Sequence, residues 1–187
     1  LFVSHDKSNG YRYNTAFENN KLFYQGGDQI SDSDEISTSF GYIKNGFGAN
    51  GFYAAPGDIN SREIVETTLA NIQSKHQLSE KWTLIPRVSY RYNYDDYRYL
   101  GHTESARSQH YTNSISGEIN TTYKMSKGEL GFGAEFRNED INSSNIGKHN
   151  RDNFGFFAEY RTYLAEKLNV NLGAYLNYNS DYDWQIY

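Results

Sequence analysis

Cysteine is absent from the chain. That excludes a disulfide framework, Cys-ligated zinc and thiol nucleophiles, and it fits the cell envelope as well as the cytosol. Long apolar runs are also absent, and the mean hydropathy is -0.83. A bundle of membrane-spanning helices is thereby excluded. A membrane barrel is not, because its strands need only every second residue to be apolar. A basic excess is missing too: 18 Lys and Arg stand against 23 Asp and Glu, for a net charge of -5. Nucleic-acid binders carry the opposite balance, so no nucleic-acid partner is expected. Proline is scarce, with two residues in 187.

Aromatic and turn-forming residues fill the space left. Tyr 18, Phe 11 and Trp 2 make the chain 17% aromatic, which argues against disorder. Gly 16 and Asn 20 beside abundant Tyr and Ser form a strand-and-turn composition. The first residues, Leu1-Phe2-Val3-Ser4-His5, read as the interior of a strand, and Trp184-Gln185-Ile186-Tyr187 show no terminator. The expectation from the ends is an internal segment of a longer protein.

Period two dominates the pattern. Ile115, Gly117, Ile119, Thr121 and Tyr123 alternate with Ser116, Glu118, Asn120 and Thr122. Leu172, Ala174 and Leu176 alternate with Asn171, Gly173, Tyr175 and Asn177, and the segments around 82–92, 129–139 and 154–164 repeat the theme. Neighbouring strand side chains point to opposite faces, so each segment has one apolar and one wet face. The runs are about twice the 5–6 residues typical of soluble strands. They match the length a tilted strand needs to cross a bilayer. The expectation is an all-β, antiparallel up-and-down sheet of about nine strands belonging to a larger transmembrane β-barrel. Nine is odd, whereas single-chain bacterial barrels close on even numbers, which again points to a segment.

Connections supply a second signal. Ser79-Glu80-Lys81, Ser126-Lys127-Gly128 and Ala165-Glu166-Lys167 read as short polar turns. Between them lie longer joins at about Ala55 to Arg62, Asp96 to Tyr111 and Ile141 to Asp152. Short periplasmic turns and long extracellular loops characterise outer-membrane barrels, which orients the chain. Lys44-Asn45-Gly46 has the chemistry of a hairpin turn, but a reversal there would invert the loop parity downstream, so a bulge or bend within one long strand is expected. Tyr90, Tyr92, Tyr94, Tyr97 and Tyr99 crowd one strand end, and Tyr178, Tyr182 and Trp184 another. Such rings favour the headgroup level of a bilayer.

Several strings carry a family resemblance: Lys7-Ser8-Asn9-Gly10-Tyr11-Arg12, Asn14-Thr15-Ala16-Phe17, Gly48-Ala49-Asn50-Gly51-Phe52-Tyr53, Glu66-Thr67-Thr68 and Phe132-Gly133-Ala134-Glu135-Phe136-Arg137. Their order and spacing resemble a mid-barrel stretch of TonB-dependent outer-membrane receptors, particularly the cobalamin-receptor-like branch. The resemblance implies a barrel of 22 strands, an N-terminal plug bearing a TonB-contacting box, and import of a large scarce nutrient such as a corrinoid, metal chelate or siderophore. Neither plug nor box is expected in residues 1–187. It also implies location in the bacterial outer membrane, with the lipid bilayer, the plug and the TonB system as partners.

Motifs for chemistry are missing: no nucleophile elbow, phosphate loop or zinc spacing occurs. The chain is therefore read as a non-enzyme. Tyr97, Tyr99, His102, Arg107 and Tyr111 are the candidate ligand-binding residues, because they gather aromatic and polar groups at the long-loop end. The competing reading, that these loops only shield the barrel mouth, stays open beside it. No cofactor is expected. Glu139, Asp140 and Asp152, and Asp95 with Asp96, offer the oxygen ligands calcium takes, but solvated loop charge is the favoured reading. Two rival functions are kept. One is an outer-membrane barrel hydrolase using Ser108-Gln109-His110, and the other is a soluble Tyr-rich β-sandwich that binds glycans. Open sheet edges would also invite edge-to-edge self-association.

Overall fold

The computed structural model describes residues 1–51, 58–100, 105–164 and 168–187. Ten strands form one sheet: β1 (Phe2–Ser8), β2 (Phe17–Ser31), β3 (Asp34–Gly48), β4 (Arg62–Gln77), β5 (Trp82–Leu100), β6 (Ser105–Met125), β7 (Gly128–Ser143), β8 (Gly147–Leu164), β9 (Leu168–Asn179) and β10 (Asp183–Ile186). Each strand pairs antiparallel with its sequence neighbours, in the order β1 to β10. This is the up-and-down all-β architecture expected from the alternation. A tenth strand, β10, was not expected: it returns on β9 and sets Trp184 opposite Tyr178.

One sheet has no partner to pack against, and the chain consequently has almost no interior. Ala49 is the only apolar residue buried among the described residues. A soluble sandwich needs two sheets face to face with a core about 10 Å thick between them. The single sheet corrects the sandwich alternative.

The register shows what takes the place of a core. On one face, Ile72, Val88, Gly117, Phe136, Phe154, Tyr178 and Trp184 stand side by side across seven strands. The adjoining row runs Pro86, Ile119, Ala134, Phe156, Leu176 and Ile186. Leu172 and Ala174 lie on the same face opposite Tyr160 and Ala158. Ile119 is 51% exposed, Phe156 50% and Val88 50%, so the surface is apolar, continuous and uncovered. An exposed patch of this extent calls for an apolar medium. Lipid supplies one.

The other face is polar and self-neutralising. Arg87 pairs with Glu118, which also accepts from Asn120 Nδ2 at 2.6 Å. Arg161 reaches Glu129 at 2.9 Å, and Arg151 reaches Glu139 at 2.6 Å. Tyr175 Oη donates to Glu135 at 2.5 Å, and Asn179 Nδ2 donates to Asn153 Oδ1 at 2.6 Å. Arg87, Arg91, Glu118, Glu135, Arg137, Glu159 and Arg161, which alternate with the apolar residues of their strands, all fall on this side.

Two expectations about connections change. The stretches Asp96 to Tyr111 and Ile141 to Asp152 are mostly strand, since β5 and β6 pair up to Leu100 and Ser105, and β7 and β8 up to Ser143 and Gly147. They are rigid hairpin extensions in place of long loops. β5 and β6, at 19 and 21 residues, are far longer than the 9–11 residues that cross a bilayer. Their upper halves therefore stand clear of the membrane. Lys44-Asn45-Gly46 lies within one strand, as expected, and carries no bulge, because β3 keeps regular register through it on both sides. The turn Ala165-Glu166-Lys167 and residues 55–57 of the Ala55 to Arg62 join lie outside the described residues.

The upper connections that are described bind one another. Asn14 adopts a positive φ of 51°, and its Nδ2 donates to the carbonyls of Ile59 at 2.9 Å and Ser61 at 2.7 Å. Tyr13 Oη donates to Asn60 Oδ1 at 2.7 Å, and Asn50 Nδ2 to the Tyr13 carbonyl at 2.5 Å. The β1–β2 connection is thus tied to the segment entering β4. Gly48 is required here, because a Cβ would lie 2.4 Å from the Asn14 carbonyl oxygen.

Two measurements check these assignments. Ile119→Arg, on the apolar face near mid-depth, should destabilise the barrel by roughly 2–4 kcal/mol in detergent or lipid unfolding, while Ser39→Arg on the polar face should cost much less. Equal costs would invert the faces. Asn14→Ala should accelerate amide exchange of residues 9–16 and 58–61 by about tenfold or more, matching the loss of hydrogen bonds to buried carbonyls, and leave β5–β7 unchanged.

Candidate ligand-binding rim

The candidate residues sit on the upper hairpins, and strand alternation divides them. Tyr97 and Tyr99 belong to the odd parity of β5, the polar face. Arg107 and Tyr111 belong to the opposite face: Tyr111 stacks on Tyr94 at 4.8 Å between ring centroids, and Arg107 bonds Asp96. His102 lies outside the described residues. The sheet therefore brings together Tyr97 with Tyr99, and Arg107 with Tyr111, as two separate groups.

On the lumen-side group, Tyr97 anchors a buried cluster. Its hydroxyl donates to Asp58 Oδ2 at 2.5 Å, and Ser61 Oγ donates to the same carboxylate. The Leu100 amide donates to Ser61 Oγ at 3.2 Å. Asp58 and Ser61 are 2% and 0% exposed. Asp58 lies four positions before the first residue of β4, yet it meets Tyr97 of β5 across 39 positions of the chain, a contact no local pattern announces. Burial and the hydrogen bond to Asp58 push the Tyr97 hydroxyl above its ordinary pKa. The rim face of the polar side is thus a set of hydrogen-bond donors and acceptors held rigidly by one buried carboxylate.

On the outward group, Asp96 is 2% exposed and is gripped from two strands. Arg107 Nε donates to Oδ1 at 2.7 Å and Nη2 to Oδ2 at 2.9 Å, while Arg98 Nη2 donates to Oδ2 at 3.0 Å. Asp96 lies above the tyrosine level on β5, clear of the apolar band. There the hydrogen bonds from Arg107, and those from Arg98, hold its carboxyl well below the usual carboxylate range.

The carboxylates considered for calcium are dispersed in the same way. Glu139 faces the lumen side and is occupied by Arg151, with Arg137 at 3.6 Å. Asp140 accepts from Asn113 at 2.9 Å on the other face, and Asp152 accepts from Asn138 at 2.7 Å. Asp95 and Asp96 point to opposite faces. No group of three metal-ligating side chains occurs among the described residues.

The Ser108-Gln109-His110 string does not assemble a nucleophile. Ser108 Oγ accepts from Asn145 Nδ2 at 3.2 Å, and His110 Nδ1 meets Ser143 Oγ at 2.8 Å. Ser143 Oγ in turn accepts the amides of Asn145 and Ile146, at 3.1 and 3.2 Å. It closes the β7–β8 turn and is 5% exposed.

With this geometry in place, comparison with known proteins is informative about fold. No protein-family model matches the sequence, and no curated protein matches it. Solved structures do. The siderophore receptor PirA from Pseudomonas aeruginosa aligns over 91% of this chain with a TM-score of 0.70 at 16% identity. The ferric-catecholate import receptor Fiu from E. coli K12 aligns over 95% with a TM-score of 0.76 at 10% identity. The copper transporter OprC aligns over 94% with a TM-score of 0.75 at 13% identity. The chain spans 29%, 39% and 31% of those chains respectively. Its ten strands have the fold of a stretch of a TonB-dependent outer-membrane receptor barrel.

Proposed function

We propose that the chain is a wall segment of a TonB-dependent receptor in the bacterial outer membrane, and that the receptor imports a scarce nutrient as a metal chelate. The observation that carries this reading is the combination of a coreless ten-strand sheet with receptor-barrel likeness over nine-tenths of its length. Neighbours named for siderophores, ferric catecholate and copper favour a metal complex over a corrinoid. None is an enzyme by name, which supports a transport role without chemistry.

The physical division of labour follows from the two faces. The apolar face meets lipid. The polar face, with its paired arginines and glutamates, suits a plug domain that must dock and release: its charges already have partners, so exchange with a plug costs little desolvation. Energy for release comes from the TonB system in this reading. At the rim, Tyr97 and Tyr99 present aromatic surface to a bulky ligand from the lumen side.

The test is uptake in cells that make the complete receptor. Disrupting the gene should abolish accumulation of iron supplied as a catecholate or hydroxamate siderophore, or of copper, with cobalamin uptake as the comparison. A protonophore should block uptake but spare surface binding. Deleting residues 99–106 should weaken binding of the transported chelate by about tenfold or more, as truncating a buried anchor does. Replacing Ser126 and Lys127 by a different two-residue turn should not. Unchanged uptake of every chelate in the disrupted strain defeats the import reading. Loss of binding only in the turn variant shows that the orientation is reversed.

A further inference from the structure

The register places three arginines shoulder to shoulder. Arg62 on β4 stands opposite Arg98 on β5, and Arg98 stands opposite Arg107 on β6. Like charges directly opposite across a ladder are destabilising. One carboxylate lies among them. Asp96 accepts two bonds from Arg107 and two from Arg98, which uses four of the ten guanidinium N–H groups on those residues. The Arg62 side chain makes no hydrogen bond or ion pair with a described residue and is exposed. The side chains of Arg98 and Arg107 remain 49% and 48% exposed. Among the described residues, three positive charges in the row face one carboxylate that bonds them, which leaves a surplus of two. Elsewhere on the sheet Arg87, Arg137, Arg151 and Arg161 each reach a carboxylate.

The row's position narrows what can neutralise it. All three arginines share the face of Val88, Tyr90, Tyr92 and Tyr94, which is the lipid-facing one. Arg98 is four residues beyond Tyr94, about 13 Å along the strand. With strands tilted by roughly 40°, that is about 10 Å above the aromatic level. This height lies outside the hydrocarbon and within the headgroup zone. The nutrient path is on the opposite face, so a ligand in the lumen does not reach the row. Beneath it, Tyr94 and Tyr111 stack, and Gln109 Nε2 donates to both hydroxyls at 3.1 and 3.4 Å. Beside it runs a groove of about 440 Å³, whose charged lining is Arg62 and Arg98 with Asp96, Lys7 paired with Glu18 at 3.5 Å, and Glu63, while Gly46 and Gly48 leave room.

We propose that the Arg62–Arg98–Arg107 row binds the phosphate of a phosphorylated glycolipid headgroup in the outer leaflet. This deepens the outer-membrane reading above and rests on it. A phosphate monoester carries close to two negative charges and three acceptor oxygens, which matches the row's surplus. Guanidinium groups recognise phosphate by paired N–H bonds. Asp96 acts as a brace: it fixes Arg98 and Arg107 so that their remaining donors face outward. The stacked Tyr94 and Tyr111 rings and the groove provide apolar and hydrogen-bonding surface for the saccharide that carries the phosphate.

Arg62 is the residue to change first, because it has no internal partner and its loss leaves Asp96 satisfied. The complete receptor would be purified from outer membranes in mild detergent and titrated with diphosphorylated lipid A, enzymatically dephosphorylated lipid A, and inorganic phosphate, with bound lipid read by native mass spectrometry. The expected result is at least tenfold tighter binding of phosphorylated than dephosphorylated lipid A, about a tenfold loss in Arg62→Ala, partial recovery in Arg62→Lys, and no change in Lys148→Ala. Equal binding of the two lipids overturns the proposal. So does inorganic phosphate binding as tightly as the phosphorylated lipid, which would make the row a free-anion site. The two readings separate on fractionation. A receptor that is found in the outer membrane but ignores the lipid phosphate fails this proposal alone. A protein absent from the outer membrane fails both.

Discussion

Backbone pairing is the constraint on which the rest of the structure depends. In hydrocarbon there is no water to satisfy an amide or carbonyl, so a membrane-crossing strand must find both neighbours. Here eight interior strands, β2 through β9, are paired on both sides. Once the ladder fixes the register, alternation leaves each residue a single choice of face. Everything functional in the chain follows from that choice. The register shift at Gln29 and Ser31 occurs next to the lower β2–β3 turn, where it disturbs no membrane-depth pair.

A consequence is that stability comes from outside the chain. Ordinary domains bury apolar side chains against one another, whereas this one buries only Ala49 among its described residues. Its large side chains are spread in rows for an external solvent. Packing within the sheet is limited to cross-strand contacts such as Phe136 with Phe154 at 4.8 Å and Trp82 with Tyr123 at 4.7 Å. On the polar face a Cβ on Gly133 would meet the Phe157 ring at 2.6 Å, so the ring covers the glycine backbone. The same logic makes small residues useful at the rim, where Gly48 admits Asn14.

The sequence made the membrane-depth part legible because lipid imposes a strict rule there. In β6 and β9 every second residue is apolar or small, and the faces can be counted off directly. Above the bilayer the rule lapses: both faces meet water, and Asp95, Asp96, Arg98 and Gln109 on paired strands look like loop. That is why the upper hairpins read as long joins. β10 escaped notice because four residues carry too little alternation. The division of Tyr97 and Tyr99 from Arg107 and Tyr111 was hidden for a different reason. Parity can be counted along one strand, but carrying it across a turn requires the turn's length, and a slip of one residue exchanges the faces. The Asp58–Ser61–Tyr97 cluster depends on a fold-back contact over 39 positions, between Asp58 and Tyr97, which local reading cannot reach.

The two faces handle charge by different physics. On the lumen side Arg87, Arg151 and Arg161 each have a carboxylate within reach, and the surface is balanced before any partner arrives. A balanced surface can bind and release a second protein many times, since neither state strands a charge. On the outer side, Arg98 and Arg107 share Asp96, and the Arg62 side chain has no ion pair among the described residues. An unbalanced row would be a defect if it faced bulk water at random positions. Its placement in register on three adjacent strands, at a fixed height over stacked tyrosines, instead concentrates the surplus where anionic headgroups are densest. The wall thus carries neutralised charge on the face we propose for a plug that docks and releases, and surplus charge on the face we propose for a persistent lipid contact.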